Sequence, residues 1–235
     1  MSSDKVHALI PAAGRGTRYG GDQLKQYLPI LGKAVMTHSI RVLQYHPMVS
    51  SVTVILAADD QFFESAVGQA AASVARVVGG ETRAQSVRNG LAFLMENHSG
   101  SDWVLVHDAA RPCLSDKSLD RLLEQGLTSN DGAILAMPIG DTLKRAGDSY
   151  QIIATEDRGG LWAAQTPQLF RVGVLAQAID QAREAGCELT DEASAMEFAG
   201  YHPKLVMGSA ANIKVTHAGD LAIAEALLKR KDQTA

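Results

Sequence analysis

Short apolar segments alternate along this chain with segments of helical period. The apolar segments are rich in Val, Ile and Leu at successive positions and lie at 6–10, 51–57, 75–80, 103–108 and 132–139. Such continuous runs are typical of strands that are covered on both faces. Helical periodicity is found at 34–45, 82–97, 115–127, 172–186 and 191–200, and a closing helix is expected from near residue 220. Alternating strands and helices predict an α/β fold with a mainly parallel, twisted sheet flanked by helices.

The alternation stops between residues 140 and 170. This stretch is polar, poor in core residues, and contains short β-like pieces around a turn at 146–149. We interpret it as a hairpin arm that leaves the main body. An isolated hairpin is only marginally stable, so a partner subunit is the natural surface for it to pack on. No internal repeat or linker is seen, which predicts a single domain over 1–235 that carries this arm.

Charge and hydropathy exclude several classes of protein. A net charge of −4 gives no overall attraction for nucleic acid. No apolar run approaches the roughly 20 residues that span a bilayer, so no membrane association is expected. The first ten residues are too polar for a signal peptide, which favours a cytoplasmic protein with free thiols at Cys113 and Cys187.

A glycine-rich basic loop at 11–27 follows the first predicted strand. Gly14 and Gly16 would let backbone N–H groups approach phosphate oxygens. Positive charge is supplied by Arg15, Arg18, Lys25 and Lys33. The loop matches neither the P-loop nor the dinucleotide fingerprint. Taken alone, these residues fit a phosphate-binding loop and a mobile surface turn equally well.

Two charged residues lie in or at the end of apolar segments. Asp108 ends the segment 103–108, where a carboxylate is well placed to hold Mg²⁺, or could instead cap the following turn and pair with Arg111. His107 beside it is interpreted as a packed strand-end residue. Lys214 lies inside the strand-like segment 212–216, and could reach solvent or face a phosphate.

Two further segments resemble starts of helices. In 79–87, Gly80 permits close approach of a ligand and Arg83 or Ser86 could bind a base or sugar, although a plain helix start explains the same residues. In 189–196, Thr190 or Asp191 is expected to cap a helix, with a purely structural role as the default.

Together these motifs resemble one enzyme family. The ordered motifs are PAAGRGTRYG, GGETRAQSV, VHDAARP, DTLKR, DRGGLW, QTPQLF, TDEASAM and NIKVT. They resemble the 2-C-methyl-D-erythritol 4-phosphate cytidylyltransferases of the non-mevalonate isoprenoid pathway, from residue 8 to about 228. HDAARP is shared with related pyrophosphorylases, whereas TDEASAM and DRGGLW with QTPQ are more specific. The resemblance implies a Rossmann-like nucleotidyltransferase fold, Mg²⁺, and a homodimer formed through exchanged β-arms. It also implies transfer of CMP from CTP to 2-C-methyl-D-erythritol 4-phosphate.

The resemblance also implies roles for individual residues. The implied catalytic residues are Arg18, Lys25, Asp108 and Lys214, and the implied metal ligand is Asp108. Nucleotide binding falls on Pro11, Ala12, Ala13, Gly14, Gly16, Lys25, Gly80, Glu81, Arg83, Ser86, Ala109 and Lys214. Acceptor binding falls on Asp108, Arg111, Thr142, Arg158, Thr190 and Lys214, with Thr142 and Arg158 reaching the other subunit's acceptor.

The chain departs from the usual family pattern at three positions. Leu24 stands where a proline is frequent, Ala211 where an acid is frequent, and Glu81 where an aspartate is frequent. Two alternative functions are a ribitol-5-phosphate cytidylyltransferase and a non-catalytic nucleotide sensor. The retained Arg18, Lys25 and Asp108 argue against the sensor.

Overall fold

The structure, a computed structural model, describes residues 4–14 and 24–232. Its strands are β1 (Val6–Pro11), β2 (Pro29–Ile30), β3 (Lys33–Ala34), β4 (Val49–Leu56), β5 (Ala75–Val78), β6 (Trp103–Val106), β7 (Ala133–Pro138), β8 (Leu143–Ala146), β9 (Ile152–Glu156), β10 (Trp162–Arg171) and β11 (Lys204–Met207). Its α-helices are α1 (Val35–Gln44), α2 (Phe63–Val67), α3 (Arg83–Asn97), α4 (Asp116–Gly126), α5 (Val172–Glu184), α6 (Glu192–Phe198) and α7 (Ala218–Asp232). Two 3₁₀ turns cover Lys25–Tyr27 and Gly68–Ser73.

Within the described residues the main sheet has the strand order β11-β7-β10-β6-β1-β4-β5. Neighbouring pairs are parallel except at β10, which runs antiparallel to both β6 and β7. The predicted α/β fold with a mainly parallel sheet is therefore confirmed. The carboxyl ends of β1, β4, β5 and β6 consequently lie along one edge.

Both faces of the sheet are covered by apolar layers, as the continuous apolar runs predict. In β1, Ala8 and Ile10 pack into one buried cluster, while Leu9 packs into the cluster on the opposite face. In β6, Leu105 and Val106 are divided between the same two layers. Side chains alternate across a strand, so a strand with an apolar layer on each side must be apolar at every position.

The predicted helix starts are set by local capping contacts. Thr82 caps α3: its hydroxyl accepts the Gln85 N–H at 3.1 Å, and the Gln85 side chain accepts the Thr82 N–H at 3.2 Å. Ser115 caps α4 by accepting the Ser118 N–H at 3.2 Å. At α6 the cap is Asp191, which accepts the Ser194 N–H at 2.9 Å, so Asp191 rather than Thr190 caps that helix.

Two sequence-based assignments differ from the structure. The segment 212–216 belongs to no strand; Ile213 and Val215 pack in a small cluster beneath α7. The arm predicted over 140–170 is shorter than expected, because residues 162–171 form β10 of the main sheet. The polar residues of β10 made it resemble an exposed segment, although Gln165, Thr166 and Gln168 are all buried.

The hairpin that does leave the main sheet is formed by β8 and β9. These strands pair antiparallel with each other in a separate two-stranded sheet. Its exposed apolar side chains include Tyr150, Ile152 and Ile153. Of the two cysteines, Cys113 is buried and Cys187 is exposed.

Gly132 provides a test of how tightly β7 packs against β10. Its φ of +79° lies in the left-handed region, and a Cβ there would lie 2.4 Å from the Leu169 carbonyl oxygen. Gly132→Ala should lower the free energy of unfolding by about 1–2 kcal/mol for the backbone strain and by about 1–3 kcal/mol more for overpacking. Urea unfolding followed by circular dichroism measures the loss.

Gly186→Ala is the matched control for this experiment. Gly186 has a φ of +66° but nothing lies within 4 Å of the added Cβ. Only the backbone strain should remain, about 1–2 kcal/mol. Equal losses for the two variants would contradict the close packing described at Gly132.

Candidate active site

A cavity of about 270 Å³ opens at the edge where the parallel strands end. It is lined by Pro11, Ala12, Ala13, Gly14, Lys25, Gln26, Gly80, Glu81, Thr82, Arg83, Ser86, Asp108, Ala109, Ala110 and Lys214. The loops after β1, β5 and β6 therefore meet here, together with the first turn of α3. Ligands of open α/β sheets bind at such an edge, and the N-terminus of a helix favours an anion.

Most sequence-predicted nucleotide-binding residues line this cavity, but several other predicted site residues do not. Gly16 and Arg18, together with Arg15, lie outside the described residues. Arg111 lies just behind the cavity wall, against Asp108. Thr142 and Arg158 are exposed at the base of the hairpin, where Arg158 donates to the Gly140 carbonyl. Thr190 is exposed beside the start of α6.

The loop after β1 is held in place by buried polar contacts. The Gln26 side chain is 3 % exposed and donates to the carbonyl oxygens of Ala12 at 3.0 Å and Gly14 at 3.3 Å. Close approach of the loop after β5 requires a glycine, because a Cβ on Gly79 would lie 2.6 Å from that of Ala13. The backbone around Gly14 is thus fixed from two sides.

Ser86 closes the turn before α3 from within. Its hydroxyl accepts the Gly80 N–H at 3.1 Å and donates to the Thr82 carbonyl at 2.9 Å. The hydroxyl proton is therefore engaged by the protein itself. Ser86 shapes the turn that presents Gly80 and Glu81 to the cavity.

Asp108 is the centre of an ion cluster at the cavity floor. Its carboxylate lies 2.8 Å from Lys214 Nζ, 3.2 Å from Arg83 Nη2 and 3.6 Å from Arg111 Nε. Burial alone would raise the pKa of Asp108, but the charges of Arg83 and Lys214 outweigh it and hold the pKa well below its usual range. Asp108 is thus ionised, pairs with Arg111 as one interpretation predicted, and also faces the cavity.

Lys214 reaches Asp108 because the backbone of 212–216 is fastened to the loop after β6. The Val215 N–H donates to the Ala110 carbonyl at 2.8 Å, and Arg111 Nη1 donates to the Asn212 carbonyl at 2.7 Å. Of the two alternatives that the sequence left for Lys214, the structure places it at the cavity. Its side chain remains 39 % exposed, so it is accessible to a ligand.

His107 supports Asp108 through a chain of hydrogen bonds. Its Nε2 lies 3.2 Å from the Arg111 carbonyl, an acceptor, so Nε2 carries the proton. Nδ1 then accepts the Thr166 hydroxyl at 3.0 Å, and that hydroxyl oxygen accepts the Asp108 N–H at 3.0 Å. His107 is fully buried, as predicted, and burial lowers its pKa to about 4. It is therefore neutral near pH 7.

Glu192 is the residue of this cluster that sequence reasoning missed. It begins α6, is 2 % exposed, and accepts from Arg83 Nη1 at 2.6 Å and Nη2 at 3.0 Å. Burial alone would lower the pKa of Arg83, but the charges of Glu192 and Asp108 outweigh it and raise that pKa. Burial also raises the pKa of Glu192, which Arg83 opposes. An acid in the first turn of a helix is usually an exposed complement to the dipole, which concealed this pairing.

The described part of the chain lacks two kinds of feature. It contains no group of three or more His, Cys, Asp or Glu side chains arranged to hold a metal ion. None of its helices has both the length and the apolar character needed to cross a bilayer.

A glycine-containing loop, a helix N-terminus and an ion cluster lie at the carboxyl edge of this sheet, an arrangement that fits a nucleotidyltransferase of α/β fold. The chain belongs to the IspD family, 2-C-methyl-D-erythritol 4-phosphate cytidylyltransferase, which it matches over residues 6–230. The family resemblance seen in the motifs is therefore confirmed.

Individual relatives match over nearly the whole chain. The 2-C-methyl-D-erythritol 4-phosphate cytidylyltransferase of Alteromonas mediterranea is 47 % identical over 233 residues, which cover 98 % of this chain and 96 % of that protein. A solved 4-diphosphocytidyl-2C-methyl-D-erythritol synthase is 43 % identical with a TM-score of 0.85, covering 96 % of this chain and 99 % of its own. The Francisella tularensis cytidylyltransferase structure is 34 % identical with a TM-score of 0.83, covering 95 % and 99 %.

The buried neutral His107 predicts a pH dependence of stability. Its pKa is about 4 in the folded protein and about 6.5 in an unfolded chain. Between these values the unfolded chain binds more protons, so stability falls as the pH is lowered. When the pH is lowered from 7 to 5, the free energy of unfolding should therefore fall by roughly 2 kcal/mol less in His107→Asn than in the wild type. Urea unfolding at both pH values measures the difference.

His202→Asn is the control for this measurement. His202 is exposed, and its backbone N–H donates to Asp131 at 3.0 Å. This variant should keep the pH dependence of the wild type. If His107→Asn also kept it, His107 would not be neutral in the folded protein as described.

Proposed function

We propose that this chain transfers CMP from CTP to 2-C-methyl-D-erythritol 4-phosphate, releasing pyrophosphate and forming 4-diphosphocytidyl-2-C-methyl-D-erythritol. The observation that carries the proposal is the Asp108 ion cluster. It gathers Lys214, Arg83 and Arg111 at the floor of a cavity rimmed by a glycine-containing loop and a helix N-terminus. Such a cavity suits a triphosphate, and the family to which the chain belongs supplies the base and the acceptor.

In this reaction, an oxygen of the acceptor phosphate attacks the α-phosphorus of CTP as the bond to pyrophosphate breaks. The attacking phosphate is already anionic near neutral pH and needs no strong general base. The obstacle is the approach of two anions, so positioning and fixed positive charge should supply most of the rate enhancement. We assign this charge to Lys25 and Lys214, with Arg18 as a third cation.

The triphosphate would lie along the loop after β1. Its phosphates would be bound by the backbone around Ala13 and Gly14, by Lys25, and by the first turn of α3. Gly80, Glu81 and Ser86 form the turn on which the nucleoside would rest. This turn requires glycine at 79 and 80, because a Cβ at these positions would lie 2.6 Å from that of Ala13 and 2.5 Å from that of Gln85.

Asp108 fits a role as a ligand of Mg²⁺. Magnesium typically binds through one or two carboxylates and completes its shell with substrate phosphates and water, so a single carboxylate at a phosphate site is a sufficient protein contribution. Each Asp108 oxygen already contacts a cation, Arg83 at Oδ1 and Lys214 at Oδ2. One of these side chains would therefore turn toward the phosphates as the metal binds. The metal would neutralise charge that develops on the phosphates.

The acceptor would bind on the other side of Asp108. Asp108, Arg111, Lys214 and Thr190 would bind it from one subunit, while Thr142 and Arg158 would reach it from the partner. Support for a homodimer comes from the hairpin of β8 and β9, which pairs with no other described strand and exposes Ile152 and Ile153. We place this reaction in the cytoplasm.

Pyrophosphate release tests the proposed reaction. Incubation with CTP, Mg²⁺ and 2-C-methyl-D-erythritol 4-phosphate should release one pyrophosphate for each product molecule formed. A coupled phosphate assay measures this release. ATP in place of CTP should give much slower release. Equal release from ATP, or none from CTP, would refute the proposal. A preference for ribitol 5-phosphate would identify the alternative acceptor, and tight CTP binding without turnover would identify a sensor.

Arg158 tests whether two subunits build one acceptor site. Arg158→Ala should raise KM for the acceptor and leave KM for CTP unchanged, because Arg158 is assigned to the acceptor and is not among the residues that line the nucleotide cavity. Asp108→Ala should abolish turnover by its own subunit. A mixed dimer of these variants contains one site with both residues and should regain activity.

Differently tagged chains, co-expressed and purified through both tags, provide the mixed dimer. Each variant homodimer, measured alone, is the control. A mixed dimer no more active than these homodimers would show that Arg158 does not cross between subunits.

A further inference from the structure

Glu192 is a buried carboxylate outside the lining of the nucleotide cavity, yet it contacts a cation that lies in that lining. Its side chain is 2 % exposed, against 32 % for Arg83. Burying a carboxylate is costly unless it is paired and hydrogen-bonded. The buried position of the Glu192 carboxylate therefore indicates a group that acts on Arg83 and does not contact a ligand directly.

The contact between the two side chains fixes the plane of the guanidinium. Both oxygens of Glu192 accept from Arg83, at 2.6 Å and 3.0 Å, while Asp108 accepts a single hydrogen bond at 3.2 Å. A two-pronged contact sets orientation as well as distance. Glu192 is thus the stronger of the two partners that share Arg83.

The residues on either side of Glu192 are both hydrogen-bonded to the main sheet. Gln168 of β10 donates to the Asp191 carboxylate at 2.8 Å and accepts the Ala193 N–H at 2.9 Å. Glu192 therefore cannot follow Arg83 if that side chain moves. A rigid support of this kind is what holds a binding group within a few tenths of an ångström.

We propose that Glu192 is a positioning residue for nucleotide transfer, which holds the Arg83 guanidinium toward the triphosphate and limits its contact with Asp108. Without the charge of Glu192, Asp108 is the carboxylate left among the described partners of Arg83. The guanidinium would then move toward Asp108 and away from the phosphates. Asp108 would also be more fully neutralised, with Lys214 already at 2.8 Å. This inference rests on the proposed function.

Glu192→Gln tests the role with little change of volume. We expect KM for CTP to rise about tenfold to a hundredfold, the range for a misplaced binding group, while KM for the acceptor changes little. Glu192→Asp keeps the charge and should recover part of the loss. Glu197→Gln, an exposed position on the same helix, is the matched control and should behave as wild type. An unchanged KM for CTP in Glu192→Gln would overturn the inference.

A double-variant cycle separates positioning from a general structural effect. In an Arg83→Ala background, Glu192→Gln should change KM for CTP no further, because the group that it positions is gone. Additive losses would mean that Glu192 acts by another route and would overturn the inference. If Glu192→Gln does not fold, Glu192→Asp takes its place in the same cycle, with the same two outcomes.

Failure of the inference can be distinguished from failure of the proposed function. Calorimetric titration with CTP alone measures nucleotide binding without turnover. A wild type that releases no pyrophosphate contradicts the proposed function. A wild type that turns over, with equal CTP affinity in wild type and Glu192→Gln, contradicts only the role of Glu192.

Discussion

Asp108 is a carboxylate buried at the end of β6, and the site depends on how its charge is balanced. An isolated carboxylate in that position would be protonated or would destabilise the fold. Three cations approach it instead, from α3, from the loop after β6, and from the segment 212–216. With Glu192 included, three cations face two carboxylates, and one positive charge remains. Neutralising one buried residue thus assembles a cluster suited to an anionic ligand.

The antiparallel strand β10 supports this cluster from beneath. Thr166 receives the Asp108 N–H, Gln168 holds the start of α6, and Gln165 lies 2.9 Å from the Ser209 carbonyl. These polar side chains are buried, and their hydrogen bonds offset the free-energy cost of removing them from water. Each of them fixes a neighbouring segment of the chain. One strand therefore positions both the carboxylate that faces the ligand and the helix that carries Glu192.

The sequence predicted those parts of the fold that follow from local chemistry. Apolar runs on both faces identified β1 and β6, and Thr82 and Ser115 identified the helix starts. It missed β10 as a strand because Gln165, Thr166 and Gln168 look exposed until their partners are known. It wrongly predicted a strand at 212–216, whose apolar residues pack beneath α7 without strand pairing.

The roles of the site residues were predicted from the family resemblance and not from local chemistry. The residues alone left Asp108 and Lys214 with structural alternatives, and the family resemblance made the choice between them. Glu192 escaped both approaches, because its importance lies in a contact with Arg83, 109 positions away.

The same charge balance explains how several cations can lie close together at one edge of the sheet. Three cations brought together without Asp108 would repel each other and turn outward to solvent. Asp108 lies between them and holds Lys214 at the cavity floor, while the two contacts with Glu192 hold Arg83. In the proposed reaction, the triphosphate would replace Asp108 as the partner of one of these cations, and little further reorganisation would be needed when charge develops in the transition state. In this proposal Asp108 holds Lys214 at the cavity floor, and Glu192 limits the contact between Arg83 and Asp108.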